Sequence, residues 1–279
     1  MSGVARNQDT DYLRREQYAT ARNLAARAAL HERFSHNPAP WQAWVFDRLA
    51  LGIGEAALEC GCGPGWLWVE NLHRLPAGCR VTLVDISDGM LAEAQERLAS
   101  QPDRFTFRQA NVQSLPFEDA SFDLVVANHM LYHVPNLDTA LSEIHRVLRP
   151  GGRLVAATNG ADHMRELHEL GQALFPHLDH YLANPARAIT HIFRLENGAE
   201  RLAPWFEDVR CDLYDSWLEA TEAEPLLDYM LSMPGAETAI TPAMRLEALD
   251  RLTECLAADG PLHVTKQTGV FLARRRSGL

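Results

Sequence analysis

Four polar residues stand where apolar runs end: Glu59 after Ala56-Ala57-Leu58, Asp85 after Val81 to Val84, Asn111 beyond Phe105-Thr106-Phe107, and Asn128 after Leu124 to Ala127. Between the first two, Gly61, Gly63 and Gly65 alternate with Cys60, Cys62 and Pro64, and a segment of helical spacing (Trp66, Leu67, Val69, Leu72, Leu75) follows. Strand, glycine turn, helix lets a ligand lie against bare backbone at a helix start. A Cβ there blocks close approach or forbids the positive φ of the turn. The spacing is G-x-G-x-G, not the G-x-G-x-x-G of dinucleotide folds, and Trp66 stands beside the place of a third packing glycine. Asp85 lies about 20 residues beyond the turn, the offset at which a carboxylate accepts hydrogen bonds from both hydroxyls of a ribose. It also reads as an acid in a helix-capping loop. His129 and His133, just past Asn128, are candidate bases, and each also reads as a core imidazole held by backbone. His177 and His180 are three apart on a helical stretch, but no third ligand accompanies them. His168-Glu169 lacks the second histidine of H-E-x-x-H, so no metal site is expected.

These residues need a frame. Arg80 to Asp85, Phe105 to Phe107, Phe122 to Ala127 and Arg153 to Thr158 read as further strands. Helices are expected from Ser87 or Asp88 through Leu98, and from Leu137 to Leu148. Strands alternating with helices indicate a doubly wound, mostly parallel sheet that gathers ligands at strand C-terminal ends. Upstream, Asp11 to Leu49 is helical and rich in Ala and Arg, interrupted by Asn37-Pro38-Ala39-Pro40 and resumed with Trp41, Trp44, Val45 and Leu49. That segment reads either as packing over a sheet edge or as a lid that brings Tyr18 and Arg27 to a ligand. Downstream, Ala161 to Phe206 becomes a helical insert carrying His163, His168, His177, His180, Tyr181, His191 and Phe193. Val209 to Trp217 and Val264 to Ala273 read as the last two strands.

Composition narrows the classes. The 279 residues are enough for one full core with a cap, and the net charge of −11 repels nucleic acids and anionic membranes. No apolar segment approaches bilayer length, and Met1 to Arg15 lacks the apolar core of a signal peptide. Five cysteines, with Cys60 and Cys62 outside C-x-x-C spacing, point to reduced thiols and a cytoplasmic setting. The single lysine, Lys266, is read as a consequence of arginine-biased composition.

Taken in order, Leu58-Glu59-Cys60-Gly61-Cys62-Gly63-Pro64-Gly65, Val84-Asp85-Ile86-Ser87, Leu115-Pro116-Phe117, Phe122-Asp123-Leu124-Val125 and Leu148-Arg149-Pro150-Gly151-Gly152 resemble the class I S-adenosylmethionine (SAM) dependent methyltransferases. The likeness is to the small-molecule branch that includes quinone-biosynthesis methyltransferases, and it covers roughly Leu51 to Val155. It implies a Rossmann-like, seven-stranded, mostly parallel α/β sheet with N-terminal helices and a helical cap. The expected organisation is a helical lid (1–50), a SAM-binding core (51–160), a substrate-cap insertion (161–206) and the C-terminal part of the core sheet (207–279). By the same resemblance, Gly61, Gly63 and Gly65, with Cys62, wrap the methionine part of SAM, and Glu59 sits near its ammonium. Asp85 holds the ribose, and Ile86 and Met90 flank the adenine. Asn111 and Val112 meet the adenine edge, where the family usually has an aspartate. Asn128 and His129 close over the sulfonium, with Tyr18 and Arg27 reaching in from the lid.

The implied reaction is transfer of the sulfonium methyl to O, N or C of a small-molecule acceptor, leaving S-adenosylhomocysteine (SAH). In-line displacement at an activated methyl asks the protein to align the partners and exclude water, and to supply a base only where the acceptor must lose a proton. Two other readings share the pattern: an NAD(P)-dependent oxidoreductase, disfavoured by the glycine spacing, and a SAM-binding regulator without turnover. Neither nucleic acid nor membrane is an expected partner. A homo-oligomer is open, since the N-terminal helix can cap its own site or a neighbour's.

Overall fold

The computed structural model describes residues 9–178 and 192–276. His180, Tyr181 and His191 of the expected insert lie outside them. The strands are β1 (Ala56–Cys60), β2 (Arg80–Asp85), β3 (Phe105–Gln109), β4 (Phe122–Asn128), β5 (Leu148–Asn159), β6 (Phe206–Leu213), β7 (Trp217–Ala220), β8 (Leu262–Thr265) and β9 (Thr268–Arg275). Seven of them form one sheet in the order β3-β2-β1-β4-β5-β9-β6. Its first five strands are mutually parallel, and β9 runs antiparallel to both β5 and β6. Strand order reverses between β1 and β4, which opens a crevice beyond the strand C-termini. The expected seven-stranded, mostly parallel α/β sheet is present.

The main helices are α1 (Arg22–Phe34), α2 (Trp41–Leu49), α3 (Trp66–Asn71), α4 (Asp88–Arg97), α5 (Leu137–Val147), α6 (Arg165–Leu174), α7 (Ala223–Leu231) and α8 (Pro242–Asp259). The central strands are buried on both faces, as their unbroken apolar runs require. On one face α5 packs Leu137, Ala140, Leu141 and Ile144 against Leu58, Val125 and Ala156. On the other, Val45 and Leu49 of α2, Leu67 and Trp68 of α3 and Leu91 of α4 cover Ala57, Leu83 and Val126. At the strand N-terminal ends, Arg149 pairs with Asp123 at 2.5 Å while Asp123 accepts the Ala56 N–H, and Arg153 pairs with Glu55 at 2.6 Å. These contacts pin the sheet at the end opposite the crevice.

Three local readings change. The run Val264 to Ala273 is two strands in different sheets: β8 pairs with β7 in a separate ribbon, and Lys266-Gln267 turns the corner into β9. Gln267 holds that corner, donating its N–H to His163 Nδ1 and accepting the Gly160 N–H. Val209 to Trp217 divides likewise between β6 and β7. The N-terminal helix breaks at Tyr18 to Ala21, where the backbone docks on the loop after β2: Ser87 Oγ donates to the Tyr18 carbonyl at 2.8 Å, and the Ala21 N–H donates to Glu93 at 2.9 Å.

A third apolar cluster lies off the main sheet. Leu30 of α1 packs there with Met164, Leu167 and Phe175, with Leu218 and Val264 of the ribbon, and with Leu226, Met230 and Leu252 of α7 and α8. Of residues 207–276, therefore, only the β6 and β9 segments join the main sheet.

Candidate functional site

The crevice beyond β1, β2 and β4 is closed into a cavity of about 690 Å³ by the N-terminal segment and the third cluster. Its floor is the glycine turn. Gly61 has φ +65°, and a Cβ there would meet Met130 Cβ at 2.8 Å, so only glycine fits beside that wall. The Cys62 N–H donates to the Val84 carbonyl and the Gly63 N–H to Asp85 Oδ2 at 2.9 Å, which ties the turn to β2. Asp85 also accepts the Ser87 N–H at 2.9 Å through Oδ1. Burial raises its carboxyl pKa while the backbone donors oppose that rise. Each oxygen keeps a lone pair for a further donor.

Glu59 ends its run on the cavity floor, 2 % exposed. Burial pushes its carboxyl up to about 8, countered by a 2.6 Å hydrogen bond from Trp68 Nε1 and reinforced by the nearby Asp85 charge. Such a carboxyl is a neutral acid waiting for a cation. Asn128 accepts from Trp41 Nε1 at 3.3 Å and donates to Gln42 Oε1 at 3.4 Å, so the start of α2 fixes its amide. Asn111 caps its own turn, its side-chain carbonyl accepting the Gln113 N–H at 2.9 Å.

His129 sits in the left-handed region at φ +58°, an unfavourable conformation for a residue with a Cβ. Burial lowers its pKa to about 4, with the Lys266 and His133 charges adding to the effect, so the ring is neutral. Its Nε2 meets Thr268 Oγ1 at 3.4 Å, and its buried Nδ1 has no hydrogen-bond partner among the described residues. His133 Nε2 lies 3.1 Å from the Tyr18 hydroxyl, with the two rings edge to face.

Leu24, Arg27, Ala28 and His31, one face of α1, form part of the roof, and Leu24 lies directly over Gly63. The helix thus covers the cavity of its own chain. Arg27 donates to the Ser232 hydroxyl at 2.9 Å and to its carbonyl at 2.7 Å, beside the Tyr18, Tyr132 and Tyr229 phenols. Among the described residues no carboxylate lies within ion-pair distance of it.

Every residue expected to bind the cofactor or act as a base lines this cavity except Gly65; of the described insert residues named above only His163 does, and Phe193 is buried in the main core. Gly65 starts α3 at φ +76°, and a Cβ on it would press on Ala94 at 3.2 Å and Leu98 at 3.3 Å. It is the packing glycine between α3 and α4, the part that the G-x-G-x-G spacing had left unfilled. Several wall residues carry no motif: Trp41 and Gln42, His31, His163, Tyr214, Thr268 and Lys266. Trp41 and His163 were visible only as members of the N-terminal helix and the insert, and Lys266 only as the sole lysine. Cys60 and Cys62 are buried free thiols, their pKa values raised chiefly by burial. Among the described residues no three His, Cys, Asp or Glu side chains gather as a metal site, and no helix is long and apolar enough to cross a membrane.

Comparison with known proteins bears on this geometry. Residues 58–156 match the family described as "Methyltransferase domain". Over 134 residues the chain is 37% identical to the malonyl-[acyl-carrier protein] O-methyltransferase of Enterobacter lignolyticus, covering 46% of this chain and 49% of that protein. Over 117 residues it is 37% identical to the ubiquinone/menaquinone biosynthesis C-methyltransferase UbiE of Paracoccus denitrificans, covering 41% and 46%. The chain spans about half the length of these curated relatives. Among solved structures, the phosphoethanolamine N-methyltransferase 2 of Haemonchus contortus with bound SAH shares the fold at a TM-score of 0.59 and 20% identity, over 97% of this chain and 60% of that one.

Proposed function

We propose, from the methyltransferase domain carried by residues 58–156, that this chain is a class I SAM-dependent methyltransferase acting on a small molecule at O, N or C. The observation that carries the reading is the convergence of Glu59, the bare glycine turn, Asp85 and Asn128 on one roofed cavity. The residues fit an amino-acid-bearing nucleoside. A buried carboxyl with no cation beside it among the described residues suits an ammonium, and Arg27 suits a carboxylate. Asp85 has lone pairs free for two ribose hydroxyls, while Ile86, Met90 and Val112 offer apolar flanks to a base. Asn111 keeps one carbonyl lone pair and its N–H donors for the base edge.

When bound, SAM supplies a methyl group already activated by the positive sulfur. The chain's own part is alignment and dryness. Gly61 and Gly63 let the ligand lie against backbone, and Leu24, Tyr18 and Arg27 close over it from α1 and the segment before it. Asn128, held by Trp41 and Gln42, presents a fixed amide beside the transfer position. His129 is neutral and accepts a proton at a ring nitrogen where the acceptor must lose one. His133 serves through its contact with Tyr18. The layer formed by α1, residues 161–178 and residues 217–265 covers the acceptor side.

Isothermal titration with SAH tests the reading, with NAD+ and NADP+ as controls. Binding of SAH alone, followed by SAH production from SAM in the presence of quinols or acyl thioesters, is the expected result. Tighter binding of a nicotinamide dinucleotide overturns it.

A further inference from the structure

Among the described residues the Glu59 carboxyl of the cavity has no cation within ion-pair distance, and its Arg27 and Lys266 cations have no carboxylate. On the methyltransferase reading, the amino-acid end of SAM brings an ammonium for the first and a carboxylate for the second. Lys266 is left over.

Its surroundings are built. Lys266 lies at the corner between β8 and β9, and its ammonium donates to Ser35 Oγ at 3.2 Å and stands 4.9 Å from the centre of the Tyr214 ring. Ser35 is itself braced by Ser216 at 2.9 Å, and Tyr214 by its hydroxyl donating to the Ala39 carbonyl at 2.6 Å. The titratable groups that feel this ammonium are His31 from α1, His129 after β4 and His163 after β5, all with lowered pKa values and therefore neutral. Among the described residues no carboxylate lies within ion-pair distance of Nζ. Burial alone holds its pKa down, to about 8. A partly buried cation without a counter-ion is costly unless a ligand provides one. In a chain that uses arginine almost everywhere else, a lysine here supplies a compact point charge, not a planar fork.

We propose that Lys266 is the anion-binding residue of the acceptor pocket, and that the methyl acceptor carries a carboxylate that pairs with it between Ser35, Tyr214 and His129. A monoanion brings this end of the cavity to neutrality. A phosphate dianion leaves a negative charge buried among neutral histidines, so the carboxylate is favoured. The apolar and aromatic walls nearby, Trp41 and Tyr214, suit an acceptor whose carboxylate is attached to an apolar body. This inference rests on the methyltransferase reading, because SAM must account for Glu59 and Arg27.

Lysine labelled with 13C at Cε gives one resonance, assigned without mutagenesis because the chain has one lysine. The full chain, saturated with SAH, is titrated with acetate, phenylacetate, phenylacetamide and phenyl phosphate. Phenylacetate is expected to shift the resonance and raise the Lys266 pKa, while phenylacetamide does not. Lys266→Met is expected to weaken phenylacetate at least about tenfold with SAH affinity unchanged, and Lys266→Arg to restore most of the loss. An unmoved resonance with every carboxylate, or equal binding of acid and amide, overturns the proposal while the methyltransferase reading stands. Phenyl phosphate binding more tightly than phenylacetate overturns the choice of a monoanion. Failure of SAH to bind overturns the underlying reading instead.

Discussion

Gly89, in the first turn of α4, lies directly beneath the Ala19 carbonyl, so that a Cβ at this position would run into the carbonyl oxygen. Glycine here is a docking surface for the N-terminal segment, and its own helix does not require it. Gly89→Ala should leave α4 intact, since alanine is the better helix former by about 1 kcal/mol. It should lift residues 18–21 off Ser87. The expected outcome is an unchanged far-UV circular dichroism spectrum, faster tryptic cleavage at Arg15 or Arg22, and SAH affinity about tenfold weaker. Wild-type affinity together with wild-type proteolysis argues against a closed lid.

Glu59 predicts a proton release. In the free protein its carboxyl titrates near 8 and is protonated at neutral pH, whereas an ammonium beside it requires the ionised form. SAH affinity should therefore rise about tenfold per unit between roughly pH 6 and 8 and then level. Titrations at pH 7 in buffers of different ionisation enthalpy should show close to one proton released. Glu59→Gln should lose both the slope and the proton. The sign for stability is opposite. The folded state holds this proton longer than the unfolded chain, so the contribution to ligand-free stability falls as pH rises from 4.5 to about 8.

On the proposed function, Asp85→Asn removes a charged acceptor from the two ribose hydroxyls while keeping the shape of the side chain. Hydrogen bonds to a charged group contribute about 1.5–3 kcal/mol each against about 1 for neutral ones, so the two together put the loss of SAH affinity at about 5- to 1000-fold. Removing the 2′-hydroxyl from SAH should cost the variant much less than it costs the wild type. An equal cost in both proteins places the ribose elsewhere.

The Tyr18 hydroxyl and His133 Nε2 meet at 3.1 Å across the lid seam. Tyr18→Phe deletes that hydrogen bond, about 1 kcal/mol, together with the phenol's interaction with the Arg27 guanidinium, and keeps the ring contact. SAH affinity should fall less than about tenfold, with the melting temperature nearly unchanged. Complete loss of binding would assign Tyr18 a direct contact with the ligand.

The sheet and its ligand-facing ends were legible in the sequence because β1, β2 and β4 each end an apolar run with a polar residue, and the register of Asp85 with the glycine turn is local. The Ser87 cap of α4 was legible for the same reason: its side chain accepts the Met90 N–H three residues on. What did not show was built from distant parts. The division of Val264 to Ala273 depends on Gln267 finding His163, some hundred residues upstream in sequence, and nothing in the local alternation marks it. The break at Tyr18 depends on Ser87 and Gly89. Gly65 looked like one more ligand glycine because spacing alone does not tell bare floor from a helix contact. Lys266 was visible as an oddity of composition, and only the corner between β8 and β9 places it in the cavity.

Leu30 of α1 is fully buried in a cluster otherwise drawn from Met164 to Val264. The two halves of the roof are thus interlocked across most of the chain's length. Chimeras that import a relative's acceptor preference must exchange α1 together with residues 161–178 and 217–265, since either half grafted alone inherits a partner shaped for another tenant.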